Sequence, residues 1–278
     1  MTTTLRPTGP IQEGADGAKS RTYDVCDNGR PVGTVEIGTD AAFGSATGEL
    51  RSLSIEEPSR LRGRGTMAGL AAEEVLRGWG CGLVRLSVPE GNEGAARLAA
   101  ALGYTERSRN MLKRLGPAAP ALPDGVETRE MSAEEFTAWQ RTSVDTYAQS
   151  WIDQGVPAEQ AMRKSRSDHA RNLPDGLATG GMYFHVLVAG GTVVGHVWVS
   201  VREGDDGETT GFVFDVEVDE EYRGRGHGRA LMVQAEHITL AAGPRRLGLH
   251  VFAANTPALR LYESLGYRTT QYNLAKDL

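Results

Sequence analysis

The segment Val218-Asp-Glu-Glu-Tyr-Arg-Gly-Arg-Gly-His-Gly-Arg-Ala-Leu231 joins the end of a β-rich run to the start of a helical pattern through a glycine-rich turn. Such a turn lets backbone N–H groups converge on an anion, and the helix N-terminus behind it adds partial positive charge. Arg223, Arg225 and Arg229 add formal charge, which makes a pyrophosphate the natural ligand. The Gly-Lys-Ser/Thr ending of a Walker loop and the three-glycine dinucleotide spacing are both missing. A tight strand–helix turn with solvated arginines is the bland alternative, and it loses ground to what surrounds the loop.

A second copy of the loop lies 163 residues upstream, where Arg60-Leu-Arg-Gly-Arg-Gly65 stands over Arg223–Gly228. The same offset aligns Asn92 with Asn255, Leu102-Gly103-Tyr104 with Leu265-Gly266-Tyr267, and Lys113 with Lys276. No gap is needed from Gly48 and Gly211 onward, and roughly a third of the pairs are identical, the mark of an internal duplication. Upstream the match continues with a one-residue shift. Val186–Val199 reads as a hairpin turning at Gly190-Gly191, and Tyr23–Ile37 as its counterpart turning at Asn28-Gly29. The Pro- and Gly-rich stretch 116–125 marks a linker between a domain over 1–115 and a domain over 126–278.

Each copy then reads as strand, glycine turn, helix, strand, helix. In the second copy the strands are Gly211–Val218 and Leu247–Phe252, with helices from about Gly228 and from Asn255 to Gly266. The copies differ before their hairpins. Ser132-Ala-Glu-Glu135 is a capping box, and Phe136, Trp139, Val144, Tyr147 and Trp151 follow at amphipathic helical spacing. The spacing reads Trp139, Tyr147 and Trp151 as helix core in preference to a substrate platform. A second helix is predicted over Ala158–Asn172. The first copy has about 22 residues in that place, too few for both helices.

Composition narrows the function classes. The formal net charge of −6 argues against nucleic acid, which demands a basic face. No apolar run approaches the roughly 20 residues of a membrane span, so no membrane partner is expected. The first residues have neither a basic start nor an apolar stretch, and a cytoplasmic protein is expected. Cys26 and Cys81 share no ligand spacing with each other or with histidine; the expectation is two buried free thiols and no metal.

Two linked motifs carry a family resemblance. The chain resembles the GNAT family of N-acetyltransferases, whose loop signature Arg/Gln-x-x-Gly-x-Gly/Ala stands here as Arg223-x-x-Gly226-x-Gly228. The downstream signature looks like Asn255-x-x-Ala258-x-x-Leu261-Tyr262-x-x-x-Gly266-Tyr267. The resemblance covers nearly all of Gly125–Leu278 and, without its front, Tyr23–Leu115. It implies an α/β chain of two GNAT domains, each a mixed, central, splayed β-sheet flanked by helices, the first truncated at its front. It implies acetyl-CoA as co-substrate, held by Arg223, Gly224, Arg225, Gly226, His227, Gly228 and Arg229, by the backbone of Val216 and Val218, and by Asn255 and Ala258. His227 is expected to face solvent or phosphate.

The implied reaction is attack of a primary amine on a thioester. It needs a base for the ammonium, a donor for the developing oxyanion and an acid for the departing thiolate. By the resemblance Tyr262 stands where a tyrosine protonates the CoA sulfur. For the base, Glu217 on the strand beside the thioester is favoured, with His250 and Asp215 as alternatives. At the 163-residue offset these become Ala99, Ser54, Ser87 and Ser52, so the first copy is expected to be a pseudo-enzyme. It keeps Arg60, Gly63, Gly65 and Asn92 for a possible second CoA site, although Leu61 replaces Gly224. The acceptor is expected to be a small-molecule amine and the protein a monomer with internal pseudo-symmetry. A non-catalytic acyl-CoA-binding scaffold, a longer acyl donor and a protein N-terminal amine remain as alternatives.

Overall fold

In a computed structural model of the chain, residues 3–14, 17–40, 43, 46–204 and 207–278 are described. The chain forms two compact units. Unit 1 comprises Met1–Ser108, Ile152–Lys164 and Gln271–Leu278; unit 2 comprises Arg109–Trp151 and Ser165–Thr270.

Unit 1 contains β1 (Thr3–Pro7), β2 (Gln12–Glu13), β3 (Lys19–Asp27), β4 (Arg30–Thr39), β5 (Thr47–Ile55), α1 (Arg64–Gly78), β6 (Leu83–Pro89) and α2 (Glu93–Ala101). β7 (Thr105–Arg114) begins in it. Unit 2 contains β8 (Val126–Glu130), α3 (Ala133–Ile152), α4 (Ala158–Asn172), β9 (Met182–Ala189) and β10 (Thr192–Glu203). It continues through β11 (Thr209–Val218), α5 (His227–Ala241), β12 (Arg246–Phe252), α6 (Thr256–Ser264) and the first residues of β13 (Arg268–Asp277). Α3 runs to Ile152 and α4 starts at Ala158, so their connecting corner falls within unit 1.

The duplication is visible strand by strand. Β1 lies antiparallel to β3 as β8 does to β9, and the hairpins β3–β4 and β9–β10 follow. Asn28 and Gly29 both take positive φ at the first hairpin turn, as Gly190 and Gly191 do at the second. That is the backbone that matches the right-handed twist of paired strands. Strands β4 and β5 then pair antiparallel, like β10 and β11. Each pair slips by one residue at the same place, leaving Arg51 extra on β5 and Phe214 extra on β11. Β5 runs parallel to β6, and β11 to β12. The apolar sides of α1 and α5 cover these sheets through Ala68, Ala72 and Leu76 in one unit and Leu231, Ala235 and Ile238 in the other.

The last strands are exchanged. Gln271–Asp277 of β13 pairs antiparallel with β6, so the end of the second copy completes the sheet of unit 1. Leu274 and Leu278 pack on the core around Leu76 and Val84. Conversely Met111 and Leu115, at the end of the first copy, are buried in the core of unit 2. The polar anchors repeat with the sequence offset. Leu115 N–H donates to Arg245 O at 2.9 Å, and Leu278 N–H to Gly82 O at 3.0 Å. Lys113 Nζ meets the buried Glu236 at 2.5 Å, and Lys276 Nζ meets the buried Glu73 at 2.7 Å. The sequence reading had no signal for this: an exchanged strand has the same composition as one kept at home.

The two glycine loops share one backbone trace. Gly224 has φ +76° and Gly226 φ +87°; Gly63 has φ +75°, and Leu61, where a glycine stands in the other copy, has φ +56°. A left-handed φ costs a side-chain-bearing residue about 1–2 kcal/mol. Leu61 is fully exposed and gains no burial in return. Leu61→Gly is therefore expected to raise the stability of unit 1 by ~1 kcal/mol after glycine's unfolded-state entropy is deducted. Urea unfolding would show it as a higher midpoint; a lower one would contradict the strained backbone.

Candidate active site

All the residues expected to carry chemistry fall in unit 2, around the C-terminal end of β11. Hydrogen-bonded register between β11 and β12 runs from Gly211/Leu247 to Val213/Leu249 and stops there. Beyond it, Phe214–Val218 have no β12 partner in the register, so the edge of Val216 and Val218 towards β12 is left out of that ladder. The chain then makes a short 3-10 turn at Glu220–Tyr222 and enters α5 with Gly226 as N-cap. No side chain caps that helix, which leaves its first-turn N–H groups for a ligand.

The arginines around the loop mostly brace it. Arg223 Nε donates to Val218 O at 2.9 Å, and Arg60 Nε to Ile55 O at 2.7 Å in the other copy. Arg225 donates to Glu221 O at 3.0 Å and stacks over the Tyr222 ring. Arg229 donates to Ser264 Oγ at 2.6 Å and ties α5 to α6. A Cβ on Gly228 would stand 3.2 Å from Leu261 Cδ2, so the glycine permits the close approach of these helices. His227 opens α5 half-buried, whereas Arg64 at its position in unit 1 is buried against Asp27 and donates to Ser59 O at 3.1 Å. Asn255, expected as a polar contact to the co-substrate, accepts from Ala258 N–H at 3.2 Å and caps α6. Asn92 does the same for α2. An uncapped helix end, open left-handed glycines and an unpaired strand edge suit a pyrophosphate with an extended arm.

The register slip at Phe214 brings consecutive β11 side chains to one aromatic cluster. Phe214 stacks on Trp198 with centroids 4.6 Å apart, and Asp215 accepts from Trp139 Nε1 at 3.1 Å. Trp139, Trp151 and Phe136 are buried, as core residues of α3 should be, and Tyr147 is half-buried. Asp215 also bonds His196 Nε2 at 2.9 Å. Burial by itself would raise the Asp215 carboxyl. The bond and charge of His196, the Trp139 N–H and the Val216 N–H outweigh it and hold the carboxyl below its usual range. Burial likewise works to lower His196, yet the bond to Asp215 and the charges of Asp215, Glu217 and Asp219 leave it raised.

The other candidates are distributed around this pair. Glu217 is exposed on β11, directly opposite His196 in register, with Arg223 3.9 Å away. Tyr262 is buried on α6, 5.9 Å from Tyr267 between ring centroids. Burial, reinforced by the Asp215 charge, pushes its hydroxyl up to about 12, so it stays a proton donor at neutral pH. His250 on β12 packs against the rings of Trp151 and Phe252, at 5.9 and 5.2 Å, and those two rings also touch each other. The charge of Asp215 thus bears on both His196 and Tyr262, Glu217 stands across from His196, and His250 lies among aromatic rings. His196 was missed by the sequence reading; its one signal was a charged-capable residue inside the apolar run Val193–Val199. Thr34, Ser52, Ser54, Ser87 and Ala99 occupy the matching places in unit 1, and Ser87 Oγ bonds Asn273 of β13 at 3.0 Å.

Among the described residues there is no group of three His, Cys, Asp or Glu side chains able to hold a metal. Nor is any helix long and apolar enough to cross a membrane. Cys26 and Cys81 are buried free thiols.

The acetyltransferase (GNAT) family model matches residues 5–104 and again residues 132–267. The chain is 35% identical over 220 residues to a mycothiol acetyltransferase of Thermobispora bispora, covering 74% of this chain and 68% of that protein. A GCN5-related N-acetyltransferase from Sphaerobacter thermophilus has the same fold, with a TM-score of 0.59 at 20% identity over 92% of this chain and 80% of that one. A tandem GNAT protein from the clavulanic acid biosynthesis pathway matches with a TM-score of 0.52 at 19% identity, covering 96% and 85%. With each half matched separately to one family and nearly the whole chain matched to a tandem GNAT fold, this protein belongs to the GNAT acetyltransferases, as an acetyl-CoA-dependent enzyme built from two GNAT-like α/β modules.

Proposed function

We propose that the second copy transfers acetyl from acetyl-CoA to the primary amine of a small molecule, and that the first copy is not catalytic. The observation that carries this reading is an asymmetry between the two copies. Asp215, Glu217 and Tyr262 belong to the second copy; Ser52, Ser54 and Ala99 stand at the matching positions of the first. Serines and an alanine offer no group that changes protonation in the working pH range.

Acetyl-CoA supplies a thioester, an acyl group already activated for attack. The loop Arg223–Arg229 and the α5 N-terminus hold its pyrophosphate, and the free edge of Val216 and Val218 orients its arm. Glu217, exposed and anionic, draws the ammonium in and takes its first proton. Tyr262 gives its hydroxyl proton to the thiolate that leaves. The loop of unit 1 keeps the left-handed trace at Leu61 and Gly63 and is read as a second, non-productive CoA site. Each exchanged strand already has its partner within the chain, which favours a monomer.

The test is release of CoA thiol from the full chain across a panel of amines, for the parent and for Glu217→Gln. The expected result is turnover with at least one small amine, and a loss of about 100-fold in the variant. Equal rates for the two would remove Glu217 from the mechanism. Acetyl-CoA binding without thiol release for any amine would favour a scaffold.

A further inference from the structure

The reaction proposed above has to remove two protons from nitrogen, one before attack on the thioester and one after the C–N bond has formed. Glu217 accounts for the first. We propose that His196, oriented by Asp215, is the acceptor of the second and so a further catalytic residue of the second copy. This rests on the acetyl-transfer reading and extends it.

The geometry is that of an oriented base. His196 Nε2 lies 2.9 Å from Asp215 Oδ2, and the same oxygen accepts the Trp139 indole N–H at 3.1 Å. Two donors on one carboxylate oxygen fix Asp215 in the ionised form that orients a ring, not the form that collects protons. With the Nε2 hydrogen on the Asp215 side, Nδ1 carries the lone pair. Register places His196 directly across from Glu217, so the acceptors of the first and second protons stand on adjacent strands at the same level. A sixth of the His196 side-chain surface remains exposed (16%), enough for a proton to reach it by way of water.

The ring is faced by charge of one sign. Asp215 and Glu217 meet it from β11 and Asp219 from the turn beyond, while α3 contributes the Trp139 ring at 6.4 Å and β9 contributes Val186. His169 of α4 packs on Trp139 with centroids 6.0 Å apart, and Arg223 lies 3.9 Å from Glu217. Three carboxylates favour the imidazolium, which accords with the raised His196. Nothing of this dyad survives in unit 1, where Thr34 and Ser52 take the places of His196 and Asp215.

The step balances. As the N–C bond forms and the C–S bond breaks, the remaining ammonium-type proton on nitrogen passes to His196 Nδ1. The thiolate takes the Tyr262 proton. Glu217 and His196 then return their protons to solvent, and Tyr262 recovers one from it.

Two measurements on the full chain test the assignment. The first is the pH dependence of thiol release with the best amine of the panel, for the parent, His196→Gln and Asp215→Asn. The parent is expected to show an acidic limb set by His196. His196→Gln should lose about 100-fold in kcat at neutral pH together with that limb, and Asp215→Asn should shift the limb to lower pH. The second is NMR titration of the free protein, with His196 identified among the six histidines by the His196→Gln spectrum. An imidazole titrating above 6.5, and lower in Asp215→Asn, is expected. Parent-like rates and profile in His196→Gln while Glu217→Gln is impaired would overturn the dyad and leave the acetyl-transfer reading standing. An imidazole titrating at or below 6.5 would overturn it as well. A parent that releases no thiol with any amine would sink both readings.

Discussion

Deleting Gln271–Leu278 is expected to unfold the N-terminal unit, although the residues removed are the farthest from it in sequence. These eight residues supply the strand that pairs with β6, and Leu274 and Leu278 cover part of the unit 1 core. They also supply Lys276, whose ammonium lies 2.7 Å from Glu73 Oε2. The Glu73 side chain is 4% exposed, so water cannot replace the lysine. Leaving one member of a buried pair uncompensated costs about 3–5 kcal/mol, a large part of the ~5–15 kcal/mol that holds a domain together. Lys276→Met isolates the charge from the strand and should lose about 3 kcal/mol. Glu73→Gln added to it should recover much of the loss, because the two positions are coupled and not additive. Urea unfolding followed by circular dichroism checks each value. The same loss is expected in unit 2 for Lys113→Met, which strips the partner from Glu236. A Lys276→Met protein within ~0.5 kcal/mol of the parent would contradict the exchanged strand, since surface pairs contribute no more than that.

Tyr262→Phe is expected to lower kcat by two to three orders of magnitude with little change in acetyl-CoA affinity, within the ~10²–10⁴ range of a positioned proton donor. The substitution removes one oxygen and leaves the ring in its place against Tyr267, so the α6 face keeps its packing. Stability should change by less than ~1.5 kcal/mol, the scale of one hydrogen-bonding group. Because burial holds the hydroxyl near 12, the parent should show no alkaline limb from this tyrosine below about pH 10, and the variant no new one. Steady-state kinetics together with calorimetric binding of acetyl-CoA separates the two readings. A variant as fast as the parent would return Tyr262 to a purely structural role in the core.

The loop, the repeat and the hairpins were legible because each depends on local backbone chemistry. Asn28-Gly29 and Gly190-Gly191 are turn residues wherever they occur between β-rich runs, and the glycine-rich loop is a turn in which Gly224 and Gly226 take positive φ. The first helix before the second copy's hairpin was legible from a capping box and an apolar period. Glu135 indeed accepts from Ser132 N–H at 2.8 Å and Ser132 Oγ from Glu135 N–H at 3.2 Å. Β1 and β8 were not seen, since each is five residues long and mostly polar, and their pairing with the hairpin edge is a tertiary event.

The sequence by itself determined a duplicated fold, the place of the two glycine-rich loops, and the loss of titratable side chains from one copy. Those properties follow from residue identity at fixed spacing, and spacing survives in a linear string. Only the tertiary structure decided which strand completes which unit, and that Asp215 is already engaged by Trp139 and His196. Those are contacts between residues from 19 to 203 positions apart. Whether a carboxylate is a free base or an orienting partner depends on what crosses the cleft to meet it, and no local pattern encodes that.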